Sequence, residues 1–327
     1  MGLALGALSF ASACGSPPEP VAVDSQGADK AASRDLPAPS APLEVEGNKL
    51  LARAEGTFSK IRIRQQGTRR TMVFVRERGG EFPQTVIDLR DPDRLHHPYA
   101  EAVAAAMLFR PDPARILIVG LGGGTLIRFF HRFLPASQVD TVEIDPEVVR
   151  LAARWFGVVE RPGVHLITED GVHFLAGEGE RYDLIVLDAF LDPGRPGTDA
   201  TGIPEELRGL GFLRRVKARL NPGGVAAFNI HFKSGFREHV DAIAEVFPQV
   251  QIAPVRNLGQ RIIYASVDAS PEITAEVLAG RAAELDAKAE WGLSFAEWAA
   301  VIQPWTRTTP GAGAPTPPPT PATPPTE

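Results

Sequence analysis

Four acidic residues stand directly after short apolar runs in the middle of the chain. Glu143 and Asp145 close VEID, Asp170 closes VHLITED, and Asp188 closes YDLIVLD. Ahead of them, ILIV leads into Gly120-Leu121-Gly122-Gly123-Gly124-Thr125. A glycine-rich turn between a strand and a helix lets the backbone approach a ligand closely and presents free N–H groups. A dinucleotide fingerprint would need a third glycine where Thr125 stands. The Gly-x-Gly-x-Gly spacing therefore suits a nucleoside without a pyrophosphate, which points to S-adenosylmethionine or a relative. Gly120, Gly122 and Gly124 are the expected contacts. Glu143, 23 residues after Gly120, can accept hydrogen bonds from both ribose hydroxyls.

The other acids read differently. Asp145 precedes Pro146 and a helical run, the pattern of an N-cap with proline at the first helical position. Asp170 can accept from an adenine amino group or cap the helix that begins VHFLA, and both readings stand. Asp188 would sit at the rim facing a reacting group, and a buried acid there needs a partner or a task.

These residues need a scaffold. ILIVG, DTVEID, VHLITED, YDLIVLDAF and VAAFNI are apolar runs of the kind buried in a parallel sheet. TLIRFFHRFL, PEVVRLAARWF and PEELRGLGFLRRVKARL lie between them with helical spacing, and Asn221-Pro222-Gly223-Gly224 stops the last. Such alternation predicts right-handed βαβ units in a doubly wound Rossmann-like α/β sheet. Ahead of it IRIR, TMVFV and TVIDL, separated by turns, predict a small antiparallel β domain. The expected divisions are a leader at 1–14, a disordered tether at 15–49, the β domain at 50–95, the nucleoside-binding domain at 96–270, C-terminal helices at 271–305 anchored by Trp291 and Trp298, and a disordered Pro/Thr tail at 306–327.

Composition narrows the function. The 327 residues carry a net charge of −6, which disfavours a nucleic-acid binder. One cysteine excludes an intramolecular disulfide framework and a Cys-cluster zinc site. The seven histidines show no His-Glu-x-x-His spacing, there is no Gly-x-Ser-x-Gly elbow, and no metal is expected. The apolar GLALGALSFASA ending at Cys14 resembles a bacterial lipoprotein signal, which implies a lipid anchor at Cys14 and a cell-envelope location, with a cytoplasmic protein as the alternative.

Residues 57–266 resemble the polyamine aminopropyltransferases, spermidine synthase and its relatives. The matching series is Gln84, Tyr99, VGLGGGT, VEID, EDG, LDAF and NPGG, in that order. Ile203-Pro204-Glu205-Glu206-Leu207 after DAF is similar to the bacterial spermidine synthase-like branch. The resemblance implies a methyltransferase-type fold of S-adenosylmethionine enzymes and a homodimer. It also implies transfer of an aminopropyl group from decarboxylated S-adenosylmethionine to a small amine such as putrescine, with Asp188 handling the amine proton, Tyr99 orienting it and Gln84 facing the donor. Three positions depart from the pattern. Gly122 stands where the family has an Asp, Leu191 stands where it has a second acid with Asp192 one residue later, and Ser59 replaces a glutamine. The alternatives are an S-adenosylmethionine-dependent methyltransferase using the same pocket and a non-catalytic envelope lipoprotein.

Overall fold

The computed structural model describes residues 36–307 except 41, 77–78, 192–194, 200 and 234. Cys14, the leader, most of the tether, Asp192 and the tail beyond 307 lie outside the described residues.

The N-terminal part is a four-stranded antiparallel sheet, β1 Val45–Glu55, β2 Lys60–Gly67, β3 Arg69–Val75 and β4 Glu81–Asp88, in that spatial order. Alternation sets its register. In β2, Ile61, Ile63 and Gln65 are buried while their neighbours are less so. The stretch expected as a disordered tether to residue 49 ends earlier, because β1 begins at Val45 and pairs along β2. Its sequence VEGNKLLARAE has a helix-forming composition, and cross-strand pairing overrides that local preference. The residues before it also join the fold. Arg70, fully buried without a carboxylate partner among the described residues, donates to the Pro42 carbonyl at 2.9 Å, to Gln65 Oε1 at 2.7 Å and to the Trp155 carbonyl at 2.7 Å. Arg128 reaches the Pro37 carbonyl at 3.1 Å. Buried guanidinium groups need acceptors, and this stretch supplies them.

The second sheet has eight strands: β5 Arg115–Val119, β6 Gln138–Glu143, β7 Val164–Thr168, β8 Tyr182–Leu187, β9 Leu220–His231, β10 Gln249–Pro254, β11 Gln260–Ser266 and β12 Gln303–Pro304. Their spatial order is β12-β10-β11-β9-β8-β5-β6-β7. The five strands read from sequence, β5 to β9, are parallel, and β8 is buried along its whole length. β11, β10 and β12 extend the sheet antiparallel beyond β9, so the sheet is mixed. The helices are α1 Pro98–Ala104, α2 Thr125–Phe133, α3 Pro146–Phe156, α4 Gly171–Ala176, α5 Leu210–Ala218, α6 Phe236–Val246, α7 Ala275–Lys288 and α8 Phe295–Ala299. Trp291, between α7 and α8, is buried against Phe129, Phe133 and Phe295, and Trp298 is buried in the same core.

β5 pairs with β6 on one side and β8 on the other. The chain leaves β5 at the point where the connections diverge, which opens a crevice outside the carboxyl ends of the strands. The small sheet closes the crevice from above. Gly123 N donates to Thr85 Oγ1 of β4 at 2.7 Å, and Phe58 N in the β1–β2 turn donates to Asp145 at 3.0 Å.

Candidate functional site

The glycine loop is shaped by its neighbour strand. Gly120 has φ +100°, and a Cβ there would lie 2.3 Å from the Asp188 carbonyl oxygen, so no other residue fits without moving β8. The backbones are tied together by Gly120 N to the Val142 carbonyl at 2.8 Å and Asp188 N to the Val119 carbonyl at 2.9 Å.

Glu143, at the end of β6, accepts from Leu121 N at 2.9 Å through Oε2 and from Asp145 N at 3.0 Å through Oε1. Burial pushes its carboxyl up from the ordinary value, and these N–H bonds oppose the shift. Gly122 N also bonds to it, so of about four acceptor positions one remains open to a hydroxyl donor while the backbone bonds hold the carboxylate in place. Asp145 caps α3 by accepting from Glu147 N at 3.0 Å. Its other oxygen holds the β1–β2 turn, and Gly56 is required there because a Cβ would meet that oxygen at 2.1 Å. Asp170 caps α4 through Val172 N at 2.7 Å and also lines the crevice, so both of its readings are compatible with its place.

Asp188 follows β8. Its Oδ1 accepts from Asn229 Nδ2 at 2.8 Å, and it is hydrogen-bonded to Tyr99. The Tyr99 hydroxyl also stands 3.3 Å from the Gln84 carbonyl oxygen. It has one proton for two acceptors, and an ionised carboxylate is the stronger of them. Burial raises the Asp188 carboxyl to about 7, against the lowering effect of Asn229 and Tyr99. Burial and the nearby Asp188 charge push the Tyr99 hydroxyl well up, so it stays a donor at neutral pH. The Asp188 carboxyl can therefore hold or release a proton near neutrality.

Two lobes meet at Asp188. A cavity of about 420 Å³ holds Glu143, Asp145, Asp170 and the Pro204–Leu207 segment. A second of about 600 Å³ holds Tyr99, His97, Asn229 and His231. Gln84, Ser59, Gly120, Gly122, Leu191 and Asp188 line both. Of the residues expected from sequence, Gly124 alone lies off both lobes. It packs on Val158 as the left-handed N-cap of α2. Gly122 lines both lobes at φ +53°, with Thr85 Oγ1 2.9 Å from where a Cβ would be.

Asn229 was not among the residues expected from sequence, although a polar amide inside the apolar VAAFNI run is a signal. Nor were Lys60, Arg76, Arg195 and Lys233 in the larger lobe, which come from four separate segments. Among the described residues no group of three His, Cys, Asp or Glu side chains is placed to hold a metal ion.

Residues 96–256 match the family model described as "Spermine/spermidine synthase domain". The polyamine aminopropyltransferase of Chromobacterium violaceum is 30% identical over 245 residues, covering 73% of this chain and 87% of that protein. That of Vibrio vulnificus is 32% identical over 206 residues, 62% of this chain and 66% of its own length. The human eEF1A lysine and N-terminal methyltransferase is 32% identical over 202 residues, 56% of this chain but only 29% of that protein. Among solved structures, human Methyltransferase-like protein 13 in complex with SAH is similar with a TM-score of 0.53 and 28% identity, covering 59% of this chain and 91% of that one.

Proposed function

The chain belongs to the spermine/spermidine synthase domain family, and from that premise we propose that its crevice transfers an alkyl group from an S-adenosyl sulfonium to an amine. The smaller lobe takes the nucleoside, with Glu143 accepting from the ribose hydroxyls and Asp170 facing the adenine. The donor carbon is activated by its positive sulfur. Its C–S bond breaks as the amine lone pair forms the new C–N bond, and a neutral thioether leaves. An alkylammonium near pKa 10 has no lone pair to offer at neutral pH, so one proton must go elsewhere. Asp188, raised to about 7 and bordering both lobes, is placed to take it. That carboxyl is the observation carrying the proposal. Tyr99 and Asn229 hold it in position.

The family favours decarboxylated S-adenosylmethionine as donor and aminopropyl as the group moved. One observation favours methyl transfer from S-adenosylmethionine as the second reading. Gly122 offers no side chain where the family pattern has a carboxylate, so the glycine loop supplies no counter-charge for the lone ammonium of decarboxylated S-adenosylmethionine, whereas the ammonium of S-adenosylmethionine is accompanied by its own carboxylate. Incubation of the protein with each donor and a panel of amines, followed by mass spectrometry, tests both. An aminopropyl mass increment supports the first reading and a methyl increment the second. Recovery of unmodified amines alone would overturn the proposal.

A further inference from the structure

Among the described residues, the wall of the larger lobe carries a charge unsuited to a diamine. Lys60, Arg76, Arg195 and Lys233 line it, and none of them lines the nucleoside lobe. Asp188 is the single carboxylate on its wall among the described residues. Those residues also provide none of the four cations with an ion-pair partner. This local surplus exists in a chain whose net charge is −6.

Two of the cations are held in place. The Arg76 guanidinium stacks on Phe82 at 3.3 Å, and that of Arg195 lies over Phe58 at 5.1 Å while donating to the Thr57 and Phe58 carbonyls at 3.4 and 3.3 Å. A guanidinium has five N–H donors, so both keep donors to spare. His231 in the same lobe is held below its ordinary value first by burial and then by Lys233, with Asp199 opposing and Arg76 adding a smaller lowering effect.

Asp188 and Asn229 give the same lobe an opposite character. Asn229 is 4% exposed, and its Oδ1 is buried with no hydrogen-bond partner. A carboxylate and a free amide oxygen are acceptors suited to the N–H groups of an amine. The lobe is thus bipolar, with acceptors beside the nucleoside lobe and cations elsewhere on its wall.

Resting on the transfer reading above, we infer that the acceptor is an amine that also carries a carboxylate, an amino-acid-like zwitterion in place of a diamine. Its amine meets Asp188 and Asn229, and its carboxylate meets the cations grouped around Arg76 and Lys233. A second ammonium in that position would face like charges, which oppose binding.

Three four-carbon probes separate the possibilities: 4-aminobutyrate, putrescine and butylamine, titrated calorimetrically into protein saturated with methylthioadenosine. The expected order places 4-aminobutyrate at least about tenfold tighter than the other two, since a hydrogen bond to a charged group contributes about that factor. Arg76→Gln and Lys233→Gln should each weaken 4-aminobutyrate by about tenfold and leave methylthioadenosine unaffected. Lys233→Glu should shift the preference toward putrescine. Putrescine binding as tightly as 4-aminobutyrate, no probe binding at all, or 4-aminobutyrate affinity unchanged in both Gln variants would each overturn the inference. Failure of methylthioadenosine itself to bind would sink the transfer reading instead, and the same probes on the free protein would still report the charge preference of the lobe.

Discussion

Replacing Asp188 with Asn should stabilise the protein while disabling it. The carboxyl is held at about 7 in the fold against an ordinary 3.8, chiefly by burial. A proton therefore binds the folded state more tightly than the unfolded one. Folding stability is greatest below the unfolded value and declines as the pH rises through the interval to about 7. At 1.36 kcal/mol per pH unit the full interval costs about 4 kcal/mol, an upper value because part of the carboxylate faces the solvent-accessible lobe. An Asn side chain carries no such charge and can still accept from Asn229 Nδ2. Thermal melting at pH 8 should place Asp188→Asn about 5 °C or more above the parent protein, using the 2–4 °C per kcal/mol expected for a domain of this size. The gap should shrink as the pH falls toward 4. Turnover should drop by roughly 10²–10⁴, the range of a lost general base. A melting point lowered at pH 8, or turnover unchanged, would refute the argument, because either would make Asp188 a structural acid.

Asn229→Ala removes a donor that lowers the Asp188 carboxyl, so the acidic limb of the pH–rate profile should move to higher pH; an unmoved limb in steady-state kinetics would count against Asn229 as a positioning residue. Gly120→Ala forces a Cβ against the Asp188 carbonyl at a positive φ and should cost about 1–3 kcal/mol in urea unfolding, with nucleoside binding weakened. Arg70→Ala removes a buried guanidinium that ties β2, β3, the Pro42 segment and the end of α3, and should cost about 3 kcal/mol in the same assay.

The smaller lobe was readable because parallel strands announce themselves as unbroken apolar runs, and the residue after each run falls at the strand end. Gly120, Glu143 and Asp188 were found on that basis. Asp145 was legible as a helix cap because Pro146 and a helical run follow it, whereas for Asp170 the sequence left a cap and an adenine contact both open; in the structure each accepts from the N–H two residues on. The link from Asp145 to the β1–β2 turn was not legible, since its partners are 87 positions apart. β1 was hidden by its Leu, Ala and Arg content, because its strand state depends on β2. The cations of the larger lobe share no spacing at all. Lys60 opens β2, Arg76 follows β3, Arg195 lies in the connection after β8 and Lys233 follows β9. Only the closure of the small sheet over the large one brings them to one wall.

In the proposed transfer, the strand ends form a nucleoside site anchored by Glu143. Calorimetric titration of methylthioadenosine into the protein and into Glu143→Ala tests it most directly. Binding by the parent chain, weakened at least about tenfold when the ribose-facing carboxylate is removed, is the predicted result. No heat of binding to the parent protein, or equal affinity in the two, would contradict it.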